Sequence, residues 1–294
     1  MYRLIVFKYL KMPNTYYYLK GDVLLNNKSS SKVLGKDLEH MMGFATSFAR
    51  VAGNEIKKDM KLGIKARIKS DGSPITESDI KINMMLIEAI RKEFPTHDIM
   101  AEEGSYLKNK SEYRWICDPI DGTIVFSHGV PTCAFSISLA KNGSPILGVV
   151  HDPFMDRTYG AVLGNESYLN SEKISVSNDY ELKGAVIGLS YWNGAQLSLS
   201  KLHGKLIEAG AAVLMLGSIV YMGAMVASGE LAASIHPARF PYDSAALKVI
   251  ISEAGGTVTN LYGNDQKYDR KIKGAVMSNG KLHKNIIDMI RKCK

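Results

Sequence analysis

Trp115-Ile116-Cys117-Asp118-Pro119-Ile120-Asp121-Gly122-Thr123 is the stretch on which the reading of this chain turns. Its apolar start predicts a short buried strand, which runs straight into two carboxylates three residues apart. A strand leaving into such a loop can aim both acids at one point. Like charges that close raise each other's pKa unless a cation sits between them. Carboxylates without His or Cys suit a hard cation, and Mg2+ commonly takes a few of them together with a substrate phosphate. Gly122 permits close backbone approach, and the N–H groups that follow can hold a phosphate oxygen. Asp-Pro and Asp-Gly are also common turn pairs, so this stretch alone leaves a surface turn open.

Working outward, three more acidic positions fall at predicted element ends: Asp79, Glu102-Glu103 and Asp243. Each has a plain structural reading. Thr76-Glu77-Ser78-Asp79 reads as a capping box, Glu102-Glu103 as an exposed strand end, and Asp243 as a helix N-cap beside Tyr242. All four clusters at element ends are hard to ascribe to coincidence. Helical spacing runs over 37–60 and again over 77–93, the latter with Ile80, Met84, Ile87 and Ile90 on one face and Pro95 closing it. Strands are predicted at 98–101, 113–117, 133–139, 145–151, 158–163 and 173–176. Alternation returns with strands at 185–190, 213–216, 231–235 and 275–278, and helices at 200–209, 218–227, 243–253 and 282–291. Strands mixed with helices throughout indicate a layered α/β fold.

Composition narrows the class. The 294 residues are 46% hydrophobic and 22% charged, which excludes disorder, and 26 Gly with 9 Pro exclude collagen-like sequence. Three cysteines without a CxxC pair argue against a disulfide framework or zinc ribbon and suit a reducing, cytoplasmic compartment. The opening apolar run spans only Leu4 to Phe7, too short for a signal peptide core, and no stretch is long enough to span a membrane. The net charge of +8 favours anionic partners. Because Lys and Arg are spread along the whole chain, nucleic acid is not expected among them; the densest cluster, Lys57 to Lys69, reads as a solvated face. Residues 1–35, rich in Tyr and then polar, read as an extension. The remainder divides into 36–180, with most of the acids, and 181–294, with Asp243.

The motifs Ser73-Pro74-Ile75-Thr76-Glu77-Ser78-Asp79, Glu102-Glu103, Asp118 to Thr123, and Tyr242-Asp243-Ser244-Ala245-Ala246 together resemble the inositol monophosphatase family of lithium-sensitive, magnesium-dependent phosphatases. Gly148-Val149-Val150-His151-Asp152-Pro153, Lys173 to Ser177 and Glu253-Ala254-Gly255-Gly256 fit in the same order, over about residues 37–290. The resemblance implies an α-β-α-β-α sandwich, commonly a homodimer, acting on a small-molecule phosphate monoester. It implies two to three Mg2+ ions. Glu102, Asp118 and the Ile120 carbonyl would hold the first, Asp118, Asp121 and Asp243 the second, with a weaker third near Glu102. Asp79 and Thr123 would orient and activate a water, and the Gly122 and Thr123 amides would bind phosphate.

On the substrate side the pattern departs. His236 stands where members acting on inositol phosphates usually carry a Glu, seven residues before the last metal Asp. Gly217-Ser218 fits the family, but Ile219 replaces a small residue and Met215 a basic one. Losing a hydroxyl-binding Glu can shift specificity strongly. His236 reads either as a substrate contact or as a structural residue in a proline-bounded turn. Arg239 could meet a second anionic group. The leading expectation is inositol 1-phosphate or a related sugar monophosphate. The alternatives are a 3′(2′),5′-bisphosphate nucleotide, histidinol phosphate, fructose 1,6-bisphosphate, or an inactive anion-binding member.

Overall fold

The computed structural model describes residues 35–60, 64, 66–70, 72–107, 109–195 and 199–293. The predicted extension therefore lies, apart from Gly35, outside the described residues. Helix α1 (Lys36–Asp59) buries Met42, Ala45, Phe48, Ala49, Ala52 and Ile56, a stripe at three- and four-residue spacing. Acids in its first turn and Lys57 and Lys58 in its last complement the helix dipole. A short antiparallel pair, β1 (Arg67–Ile68) and β2 (Pro74–Ile75), leads to α2 (Glu77–Glu93).

Helix α2 begins with a capping box between Thr76 and Asp79. That cap turns Asp79 inward, and the residues sharing its face, Ile82, Leu86 and Ile90, form the buried stripe. The sequence expectation of a face through Ile80 and Met84 is corrected here, since both are exposed. The helix carries two apolar stripes at similar spacing, and the cap decides between them.

The larger sheet has the order β3 (Asp98–Ala101), β4 (Tyr113–Asp121), β5 (Ala134–Lys141), β6 (Ser144–Asp152), β7 (Arg157–Val162), β8 (Ser167–Leu169), β9 (Glu172–Lys173). Only β3 and β4 run parallel; the rest is an antiparallel meander. The strand expected at 173–176 shrinks to β9, and β8 escapes the sequence reading because a three-residue strand shows too little periodicity. Between β4 and β5 sits α3 (Thr123–Ser127).

The second sheet is ordered β11 (Ala212–Leu214), β10 (Val186–Leu189), β12 (Ala233–His236), β14 (Ala275–Ser278), β13 (Thr257–Thr259). Its helices are α4 (Ser200–Glu208), α5 (Ile219–Ala227), α6 (Ala245–Glu253) and α7 (His283–Arg291), with a 3-10 turn at Pro241–Asp243. Three apolar clusters define the layers. One joins α1 and α2 to the larger sheet, one packs α5 and α6 between the two sheets, and one sets α4 and α7 on the outside of the second sheet. The result is the α-β-α-β-α sandwich. Cys117, Cys133 and Cys293 are buried and unpaired. No helix among the described residues is long and apolar enough to cross a membrane.

Candidate active site

Strand β4 pairs in regular register with β5 up to Asp118↔Ser136, and then again at Asp121↔Ala134. Three steps on β4 thus match two on β5, a one-residue bulge holding Pro119 and Ile120. In a regular strand, residues three apart face opposite sides. The bulge cancels that alternation and turns both acids to one side, and Pro119 is tolerated there because the ladder is already broken. The 3-10 turn before α6 brings Asp243 to the same place. Among the described residues, one oxygen from each of Asp118, Asp121 and Asp243 lies within 4.8 Å of the others.

These acids are costly where they stand. Burial first, and then Glu102, Asp121 and Asp243, push the Asp118 carboxyl well above the usual range. Asp243 is likewise pushed well up by burial, then by Asp121 and Glu102. Burial raises Asp121 to about 6, against hydrogen bonds from Ser218 and the amide of Val220. Val220 N–H donates to Asp121 Oδ2 at 2.7 Å, and the Ser218 hydroxyl donates to the same oxygen. Asp121 therefore also caps α5. An all-oxygen, like-charged, buried set is the donor chemistry of a hard divalent cation, so the residues fit the magnesium that the sequence implies.

Asp79 stands beside this triad. Its Oδ2 accepts from Thr76 N–H at 2.8 Å and from the Thr76 hydroxyl, while its Oδ1 lies 3.2 Å from Thr123 Oγ1. Thr123 Oγ1 is equally 3.2 Å from the Ile120 carbonyl, and its single proton can serve only one of them at a time. Burial lifts the Asp79 carboxyl above its ordinary value. Asp79 is thus both the helix cap and a neighbour of the reactive loop; the two readings are compatible.

Glu102 stands outside the triad's cluster. Lys69 Nζ donates to Glu102 at 3.0 Å and to Glu103 at 2.7 Å. Burial raises Glu102 to about 7, although Lys69 opposes the shift. Lys69 is a partly buried neighbour of these acids that the sequence reading assigned to a solvated face. Nothing in its sequence surroundings distinguishes it from the other lysines; its position on the segment between β1 and β2 carries it over the acids.

The loop glycines are required by the fold. Gly122 has φ of +93°, and a Cβ there would lie 2.9 Å from Val125 Cγ2 and 3.0 Å from Ser218 Cβ. Gly217, at φ +78°, would meet Val125 Cγ1 at 2.4 Å. These two positions let the loop after β4 and the start of α5 touch. The amide of Thr123 opens α3, where helix geometry leaves the first N–H groups without internal partners.

The substrate-side residues scatter. Ser218 caps α5 by accepting from Tyr221 N–H at 3.0 Å and holds Asp121, so its hydroxyl is engaged within the fold. His236 lies in β12 and is fully buried, with Nδ1 accepting from Ala238 N–H at 3.3 Å. That burial agrees with the structural reading of His236, whose Nε2 is buried without a hydrogen-bond partner among the described residues. Arg239, three residues on, is exposed.

The model of the inositol monophosphatase family matches residues 37–294. A fructose-1,6-bisphosphatase/inositol-1-monophosphatase of Thermotoga maritima is 35% identical over 220 residues, 74% of this chain and 82% of that protein. The Nus factor SuhB of Pasteurella multocida is 31% identical over 229 residues, 76% of this chain and 86% of that one. Among solved structures, an IMPase of Thermotoga maritima superposes with a TM-score of 0.79 at 30% identity, covering 86% of this chain and 98% of that one.

Proposed function

The chain belongs to the inositol monophosphatase family, and from that premise we propose that it hydrolyses phosphate monoesters of a sugar or polyol with the help of divalent magnesium. The observation that carries the reading is the convergence of Asp118, Asp121 and Asp243, the first two buried and the third half-buried, with one oxygen of each within 4.8 Å of the others. Asp118 and Asp121 from the β4 bulge and Asp243 from the turn before α6 would hold one cation, and Glu102, Asp118 and the Ile120 carbonyl another. Bound there, magnesium would neutralise phosphate charge and supply Lewis acidity to the water and the leaving oxygen.

The remaining steps belong to the chain. The Gly122 and Thr123 amides hold a phosphate oxygen and set the phosphorus against the triad. Thr123 Oγ1 would position the attacking water and take its proton while passing the hydroxyl proton on to Asp79 Oδ1, the acceptor 3.2 Å away. The leaving alcohol oxygen would then take a proton from Asp79 or solvent. The raised Asp79 carboxyl accepts a proton more readily than an exposed one. Thr76 fixes the other oxygen of Asp79, so that the carboxylate cannot rotate away. The family resemblance supports in-line attack by water, without a covalent phosphoenzyme. Lys69 screens Glu102 and Glu103 from the incoming anion.

The test is phosphate release from inositol 1-phosphate, fructose 1,6-bisphosphate and histidinol phosphate, for the full chain and for Asp118→Asn. The native protein should release phosphate from at least one, and Asp118→Asn should lose at least about a hundredfold of that rate while keeping its circular dichroism. Near-native turnover by Asp118→Asn would refute the metal assignment. No release by either protein would favour an anion-binding role without chemistry.

A further inference from the structure

Asp121 reaches the triad on a support that takes no part in the hydrolysis steps. Its Oδ2 accepts from Val220 N–H at 2.7 Å and from the Ser218 hydroxyl, so its rotamer depends on where α5 begins. The segment that enters this helix, Leu216-Gly217, lies outside regular structure, since β11 ends at Leu214 and α5 starts at Ile219. Gly217 turns there with φ of +78°. The Leu216 carbonyl accepts from Thr132 Oγ1 at 2.8 Å, a bond that joins residues 84 apart in sequence. Thr132 comes from the loop between α3 and β5 and is half-buried.

That loop aims the hydroxyl. Val130 N–H donates to the Val125 carbonyl at 2.9 Å, and Thr132 N–H to the Val130 carbonyl at 2.9 Å, which folds the return from α3 tightly on itself. Two residues after Thr132, Ala134 opens β5 and pairs with Asp121. The bonds form a closed circuit. It runs from Asp121 across the ladder to Ala134, along the chain to Thr132, over to Leu216, and through Ser218 back to Asp121. The Thr132 hydroxyl is the one link in it that is neither backbone nor a direct partner of the acid. A valine would fill the same space without the donor, leaving the Leu216 carbonyl unsatisfied beside a glycine that can turn freely. Groups that orient a metal ligand set how well it binds the ion. We propose that Thr132 is a positioning residue for the metal site, acting through the Leu216 carbonyl and the α5 cap to keep Asp121 turned toward Asp118 and Asp243. This rests on the triad holding a divalent cation.

Metal binding without substrate tests it apart from turnover. Mg2+ alone is titrated by calorimetry into the full chain and into Thr132→Val, Thr132→Ala and Thr132→Ser. Direct hydrogen-bond partners of metal ligands are worth roughly ten- to a hundredfold in affinity; Thr132 stands further out, so the expected loss is about three- to tenfold. Thr132→Val and Thr132→Ala should show that loss, and Thr132→Ser, which keeps the hydroxyl, should bind as the native chain does. In a Ser218→Ala background, where a bond from α5 to Asp121 is already gone, Thr132→Val should cost less than it does alone. Native affinity in the valine and alanine variants, with only a lower melting temperature, would overturn the proposal and leave the metal reading intact. An equal loss in Thr132→Ser, or full additivity with Ser218→Ala, would overturn it as well. A native chain that takes up no Mg2+ would overturn both readings.

Discussion

Burial and four neighbouring acids, Glu102, Asp121, Asp243 and Asp79, hold the Asp118 carboxyl well above the ordinary range. A carboxyl raised in the fold keeps its proton where the unfolded chain has lost it, so its contribution to stability falls as pH rises above about 4. Whole-protein melting would blur this, because buried His151 and His236, lowered to about 4 and about 3, contribute in the opposite direction. The difference between native chain and Asp118→Asn isolates the acid. With chelator present, the two should melt together near pH 4.5, and Asp118→Asn should melt several degrees higher at pH 8; a gap independent of pH would contradict the charged cluster. The identity of these acids was legible in the sequence, because each sits in a short motif. Lys69 was not, since only the chain path after α1 brings it to Glu102 and Glu103.

Elements explain why residues far apart in sequence meet. The bulge in β4 supplies the convergence of Asp118 and Asp121, and no periodicity in the sequence announces a single extra residue. The ends of helices and strands could be read from their caps and turns; α2 runs over the predicted 77–93. Its buried face could not, because apolar residues occupy two stripes and the capping geometry selects one. The structure predicts that Ile82→Ala, at a fully buried site, costs about 2–5 kcal/mol of unfolding free energy. Met84→Ala, at an exposed one, should stay within about 0.5 kcal/mol. Denaturant titrations giving the reverse order would mean that α2 is rotated on the sheet, and with it Asp79.

At the scale of the whole molecule, two sheets and three helical layers bring the acidic loop after β4 of the first sheet against the turn that follows β12 of the second. The alternation of strands and helices could be read in the sequence, and the layered class with it. The strand order of the second sheet could not, because β10, β12 and β14 are adjacent in space while separated by helices whose crossing direction leaves no local trace. Asp243 reaches Asp118 only through that order. The account's central claim is that this assembled triad makes phosphate monoester hydrolysis depend on a divalent cation. The most direct measurement is the rate of phosphate release from one monoester that the native chain turns over, followed from excess chelator through increasing Mg2+. Release should be absent in chelator and rise to saturation as Mg2+ is added; a rate unchanged by chelator would contradict the account.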